Sequence, residues 1–412
     1  MSPPKPYKLD VSSDFLQWVT DRVNTARIIP DITHPDGKEW DYGIPTAVME
    51  PLVEYWKTKY NWRKMEQHIN ETFKMFTVDL EEAGEVISLH FVHHRSQMPN
   101  AIPLIFAHGW PGNFTEVEHL LELTAPEDPE TQPFHIVAPS IPGFTLSSSP
   151  SKAGFGVGKI ANVYHKLMLE LGYETYLGQG GDWGSFILRS VALQHPSSLI
   201  GLHINFPLTL PPKPLANPIT LFWLAMRYFS SEESKRLKRM QWFYETESGY
   251  SQIQRTKPQT ISYALLDSPI GMLAWIREKI QLATEESYVW NPDTVLTWTM
   301  LYLISGSAGH ARIYKEAVEL DEINGLLGTK ISKEVAIGVS SFPKDIAYAT
   351  KWWAEATLAE NIVTWREHDK GGHFPSVECP DALTSEVQEW VKAVKKTSSS
   401  SKWDGLVKGG RL

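Results

Sequence analysis

The 412-residue chain carries a formal net charge of -9, from 48 Asp plus Glu against 39 Lys plus Arg, and 42% of its residues are hydrophobic. That length allows two or three structural units with a large buried core, and the near-average composition excludes a disordered or fibrous protein. The mild acidity gives no reason to expect a nucleic-acid or anionic-membrane partner, so a small neutral ligand is expected, and 16 Trp, 16 Phe and 15 Tyr could line its pocket.

The chain opens on a polar, Pro-rich stretch that reads neither as a signal peptide nor as a membrane anchor. Residues 1–95 read as an N-terminal meander with amphipathic stretches at 15–26 and 48–57 and an alternating strand at 86–92. Residues 96–206 then alternate strands (103–107, 134–138, 175–179, 199–206) with helices (159–171, 185–194). This βαβ rhythm predicts a mostly parallel sheet flanked by helices, an α/β fold. The rhythm breaks at Pro207, Pro211, Pro212 and Pro214, and 207–330 reads as an inserted helical cap rich in aromatic residues. Its most apolar segment, 219–229, is too short to span a bilayer, carries Arg227, and reads as a buried or lid helix. Strands at 335–340 and 362–366 and a helix at 383–394 return the chain to the sheet domain over 331–396. The tail, 397–412, with serines at 398–401, reads as flexible. Cys379 is the only cysteine, which excludes an intramolecular disulfide and suits a reducing compartment. A soluble, cytoplasmic protein is expected, since the terminal Gly-Arg-Leu matches a peroxisomal address poorly.

Gly180-Gly-Asp182-Trp-Gly184 lies between a predicted strand and helix, the pattern of a nucleophile elbow in which a strained turn projects the central side chain. The alternative is that Asp182 only caps the helix. His108-Gly109-Trp110-Pro111-Gly112 also follows a strand and has the composition of an oxyanion loop, the alternative being an ordinary turn with a buried histidine. Asp345, after the strand at 335–340, and His373, in Gly371-Gly-His-Phe, supply an acid and a base in the required chain order. Asp345 could instead cap a helix over 346–353. Other patterns fail. The stretch 154–159 lacks the opening Gly of a phosphate loop and has Ile160 where Ser or Thr is needed, and His93-His94 and Glu367-His368 lack zinc spacings. The sequons at Asn70 and Asn113 read as chance.

An aspartate at the elbow narrows the chemistry. A serine attacking alkyl carbon would leave an ether that water does not readily cleave, whereas a carboxylate leaves a hydrolysable ester. The reaction is then displacement at saturated carbon, with an epoxide oxygen or a halide leaving; the former needs a proton donor such as a neutral Tyr.

From about Pro6 to Val394 the sequence resembles the microsomal-type epoxide hydrolases of the α/β-hydrolase superfamily, especially their soluble fungal members. In the N-terminal part, Tyr42-Gly-Ile-Pro and Tyr55-Trp-Lys-Thr-Lys-Tyr-Asn-Trp-Arg-Lys carry the resemblance; in the cap, Glu247-Ser-Gly-Tyr-Ser-Gln-Ile-Gln-Arg and Arg312-Ile-Tyr-Lys-Glu do. The resemblance implies Asp182 as nucleophile, His373 as base, Asp345 as the acid that orients it, and Tyr250 and Tyr314 as epoxide-binding tyrosines. Backbone N–H groups of Trp110 and Trp183 form the implied oxyanion hole, with His108, Gly109 and Pro111 supporting the loop. The implied partners are a small epoxide, aryl or medium alkyl, and water. No metal or organic cofactor is required, and the membrane anchor of mammalian members is not expected. A homodimer is expected on resemblance alone. The rival readings are a haloalkane dehalogenase, with Trp183 as halide donor, and an inactive homologue that only binds.

Overall fold

The structure, a computed structural model, describes residues 3–212, 229–398 and 400–409. Short apolar runs become the strands β1 (Lys5–Pro6), β2 (Met75–Glu82), β3 (Glu85–His94), β4 (Ile102–Ala107), β5 (Phe134–Pro139), β6 (Tyr176–Gly180), β7 (Leu199–Ile204), β8 (Ala336–Ser341) and β9 (Ile362–Glu367). They form one sheet in the order β1-β2-β3-β5-β4-β6-β7-β8-β9. The pairs among β1, β2, β3 and β5 are antiparallel, and those from β5 across to β9 are parallel. Every residue of β4 to β8 is buried, as expected of strands covered on both faces.

β2 was not anticipated, because its C-terminal half alternates Leu80 with Asp79, Glu81 and Glu82 and so resembles a solvated loop. It pairs with β3 through a two-residue hairpin in which both Ala83 and Gly84 have positive φ, 53° and 73°, matching the twist of the flanking strands.

The Val157–Glu170 and Asp182–Gln194 helices pack side by side, and the Pro380–Thr397 helix packs on β8 and β9. There Trp390 lies over Gly338, where any side chain would displace the indole, and its N–H donates to the Ala336 carbonyl at 3.2 Å. The described cap residues are largely helical. Pro258, Pro269 and Pro292 each open a helix at a position whose N–H would lack a partner in any case. Three N-terminal helices, Ser13–Asn24, Thr46–Thr58 and Trp62–Thr72, brace this cap. Tyr55 donates to Asp293 at 3.0 Å, Tyr60 meets Thr297 at 3.0 Å, and Arg22 pairs with Asp267 at 2.8 Å.

Part of the tail read as flexible takes up regular structure. Residues Ser400–Gly409 form a helix that seats Leu406 in the core, with Trp403 and Val407 packed beside it. That helical spacing of apolar residues outweighs the serine run. The apolar stretch read as a lid helix lies, apart from Phe229, outside the described residues. No helix among those described is long and apolar enough to cross a membrane.

Candidate active site

β6 ends at Gly180, and the chain turns directly into the Asp182–Gln194 helix. Asp182 itself sits at φ 46°, the left-handed region that side chains enter only when surroundings hold them there. Those surroundings are backbone. A methyl at Gly184 would overlap the Ala107 carbonyl of β4, and one at Gly109 would overlap the Asp182 side chain. Gly181, not Asp182, stands at the helix cap, so the capping alternative does not describe the turn.

The loop after β4 closes over this elbow. The Trp110 backbone N–H donates to Asp182 Oδ1 at 2.7 Å, and the Trp183 N–H donates to the same carboxylate. Trp110-Pro111 is a cis peptide. His108 is buried and held near pH 4, so its neutral ring bonds the Gly109 carbonyl and accepts the Ile141 N–H. Burial raises the Asp182 pKa, while His373 and the two N–H groups oppose it.

His373 and Asp345 arrive from the other half of the sheet. His373 Nδ1 meets Asp345 Oδ1 at 2.7 Å, and Nε2 lies 3.6 Å from Asp182 Oδ2. Asp345 caps nothing: the next helix starts at Lys351, and its Oδ1 also accepts the Ile346 N–H. The histidine loop is pinned to the cap, since His373 N–H donates to the Ala283 carbonyl at 2.8 Å. Burial alone would push the imidazole down; Asp345 first, then Asp182 and Glu116, pull it up to about 9. The resting imidazole is therefore protonated at neutral pH.

Tyr250, on the Gly249–Thr256 helix, and Tyr314, on the Gly309–Glu319 helix, converge from the cap with their rings 6.0 Å apart and nearly perpendicular. The Trp110 ring stacks on Tyr250 at 4.9 Å, and Trp183 meets Tyr314 edge-on at 4.8 Å. Burial, then nearby Asp182 and neighbouring tyrosine, raises both phenol pKa values, so both hydroxyls keep their protons. The structure thus brings all the expected residues into one cluster, with the two phenols on the cap side of the carboxylate.

Sequence reasoning missed residues that act at a distance. His310 accepts the Trp110 indole N–H at 3.2 Å, and Tyr302 donates to the Gly112 carbonyl at 2.8 Å. Glu116 and Ser376 line a cavity beside Asp182 and His373. The signal for Glu116 was present: Asn113-x-x-Glu116 is a capping-box pattern, and Asn113, read as a chance sequon, is its buried cap. The rejected loop at 154–159 has its helix N-terminus filled by Glu322, which accepts the Gly158 N–H at 2.8 Å, leaving no seat for a phosphate.

Comparison with known proteins agrees with this architecture. A family model described as alpha/beta hydrolase fold matches residues 102–226, and one described as Epoxide hydrolase N terminus matches residues 4–117. The fold and elbow define an α/β hydrolase. Epoxide hydrolase 1 of Sus scrofa is 30% identical, over 94% of this chain and 88% of its own length. Juvenile hormone epoxide hydrolase 2 of Ctenocephalides felis is 31% identical, over 94% of this chain and 85% of its own. The solved structure of Aspergillus niger epoxide hydrolase superposes with a TM-score of 0.82 at 30% identity, covering 96% of this chain and 97% of that one. The chain belongs to the epoxide hydrolase family.

Proposed function

We propose that the protein converts epoxides to vicinal diols through an alkyl ester on Asp182. The observation that carries this reading is a carboxylate at the left-handed elbow facing two tyrosines that meet edge-on in the cap. Tyr250 and Tyr314 hydrogen-bond the epoxide oxygen, and one donates its proton as the C–O bond breaks. Asp182 Oδ2, the oxygen not held by the Trp110 N–H, attacks the ring carbon. Forming the ester removes the negative charge that helped hold His373 protonated, so the imidazolium passes its proton to the tyrosinate left by ring opening and becomes a base. With Asp345 fixing its orientation, His373 Nε2 then takes a proton from water, whose oxygen adds to the Asp182 carbonyl carbon. The N–H groups of Trp110 and Trp183 hold the resulting anion on Oδ1, collapse releases the diol, to which the imidazolium gives its proton, and the acid left on Asp182 then reprotonates His373.

The aromatic walls of Trp110, Trp183, Tyr250 and Tyr314 favour aryl or medium alkyl epoxides. Family resemblance supports a homodimer and the division at 95, 206, 330 and 396; the lone cysteine supports a cytoplasmic setting. A dehalogenase is less consistent with the site, because two phenols, Tyr250 and Tyr314, stand beside the Trp183 indole where a halide would need N–H donors alone.

The test is a single turnover of excess enzyme with styrene oxide in heavy-oxygen water. An unlabelled first diol, with the label on the Asp182 peptide, is expected. Label in the first diol would mean direct attack by water and would overturn the ester route.

A further inference from the structure

Beside the elbow lies a cavity of about 20 Å³, room for one water molecule, lined by Asp182, His373, Gly109, Glu116, Ser376 and Phe374. Among its polar walls are the proposed nucleophile, the proposed base and a carboxylate that the scheme above leaves without a role. That group is Glu116. Its carboxylate is steered into place from two sides: Oε1 accepts the Asn113 N–H at 3.1 Å and Oε2 accepts the Ser376 hydroxyl at 3.1 Å. Gly112 permits the approach, since a methyl there would overlap the carboxylate. Each oxygen has one partner and so retains a lone pair for another donor.

We infer that Glu116 positions the hydrolytic water in this cavity. The inference rests on the ester reading of the reaction. A water in the cavity has two hydrogens to place. One goes to His373 Nε2, the proton acceptor, and Glu116 accepts the other, which turns an oxygen lone pair toward the Asp182 carbonyl carbon. The water O–H bond breaks toward the imidazole, the new C–O bond forms, and Glu116 keeps its own protonation state throughout. Burial raises Glu116 to about 7, opposed by the Ser376 hydroxyl, the His373 imidazolium and the Asn113 N–H. It therefore exists substantially as carboxylate near neutrality. Glu116 is also among the charges that face His373, so it stabilises the imidazolium that hydrolysis creates.

Glu116→Gln tests this. Its amide oxygen must accept the Asn113 N–H, which leaves an NH₂ facing the cavity where an acceptor was. Rapid-quench single turnovers with styrene oxide, read by intact mass, resolve ester formation from ester loss. Ester formation at the wild-type rate is expected, with ester loss slowed by about 10- to 100-fold, the penalty typical of a misplaced reactant. A merely structural role would slow both steps together. Wild-type ester loss, or equal slowing of both steps, would overturn the inference. If no ester accumulates even in His373→Gln, the ester route itself fails, a separate result. Should E116Q not fold, Ser376→Ala removes only the hydroxyl that steers Glu116, and a several-fold slowing confined to ester loss is expected; an unchanged rate would count against the role.

Discussion

Replacing Asp182 by Asn should lower the pKa of His373. Asp182 Oδ2 lies 3.6 Å from Nε2. At an effective dielectric of roughly 20 that pair is worth about 4.6 kcal/mol, or about 3 pH units; at roughly 80 it is worth about 1.2 kcal/mol, just under one unit. The site is enclosed but holds a small cavity, so a fall of about one to three pH units from about 9 is expected. NMR titration of histidine labelled at Cε1, with the signal assigned by loss in His373→Gln, measures it directly. The sign carries through to stability. A folded pKa raised above the ordinary 6.5 contributes stability that is complete below 6.5 and is lost as pH rises through about 9. Asp182→Asn should flatten that decline in denaturant titrations. A His373 that titrates near 6.5 in the native protein, or one unmoved by the substitution, would refute both the charge assignment and the switch from imidazolium to base.

Other substitutions separate the steps and the scaffold. Tyr250→Phe and Tyr314→Phe should each slow ring opening by about 10- to 100-fold, since each removes one hydrogen bond of about 1.5 to 3 kcal/mol to developing charge; pre-steady-state ester formation measures this, and a double variant with normal turnover would exclude the cap tyrosines. Gly184→Ala drives a methyl into the Ala107 carbonyl and should cost about 1 to 3 kcal/mol with loss of activity, read as a lower Tm; an unchanged Tm would mean the elbow is less tightly held than its φ indicates.

The parts of this fold that were legible in the sequence are those written locally. Strands buried on both faces appear as unbroken apolar runs, and β4, β5, β6 and β7 lie close to where those runs predict them. The elbow was visible because a strained turn needs small neighbours, and Gly180, Gly181 and Gly184 are adjacent in sequence. What packs against those glycines was not, since the Ala107 carbonyl and the Trp110 N–H reach Asp182 from more than seventy residues away. Tyr250 and Tyr314 were picked from 15 tyrosines by family resemblance, and periodicity gave no reason to prefer them. The capping pattern of Glu116 with Asn113 is local and readable, but its place on the cavity is not, because Ser376, which donates to its Oε2, lies 260 residues further along the chain. The tail helix escaped because serines masked the spacing of Trp403, Leu406 and Val407.

β7 and β8 are neighbours in the sheet, hydrogen-bonded from Gly201 to Ala336, although the entire cap is inserted between them. The entropy of closing a loop grows only with the logarithm of its length, so lengthening or shortening that insert perturbs the sheet little. The same connection also orders assembly. A growing chain that has completed β7 already carries Asp182 but neither Asp345 nor His373, which follow β8 and β9. On the proposed route such a chain lacks the cap tyrosines that open the ring as well as the acid and base that release the product. On that route the last two parallel strands complete the site, since their docking beside β7 brings Asp345 and His373 to an elbow built much earlier in the chain.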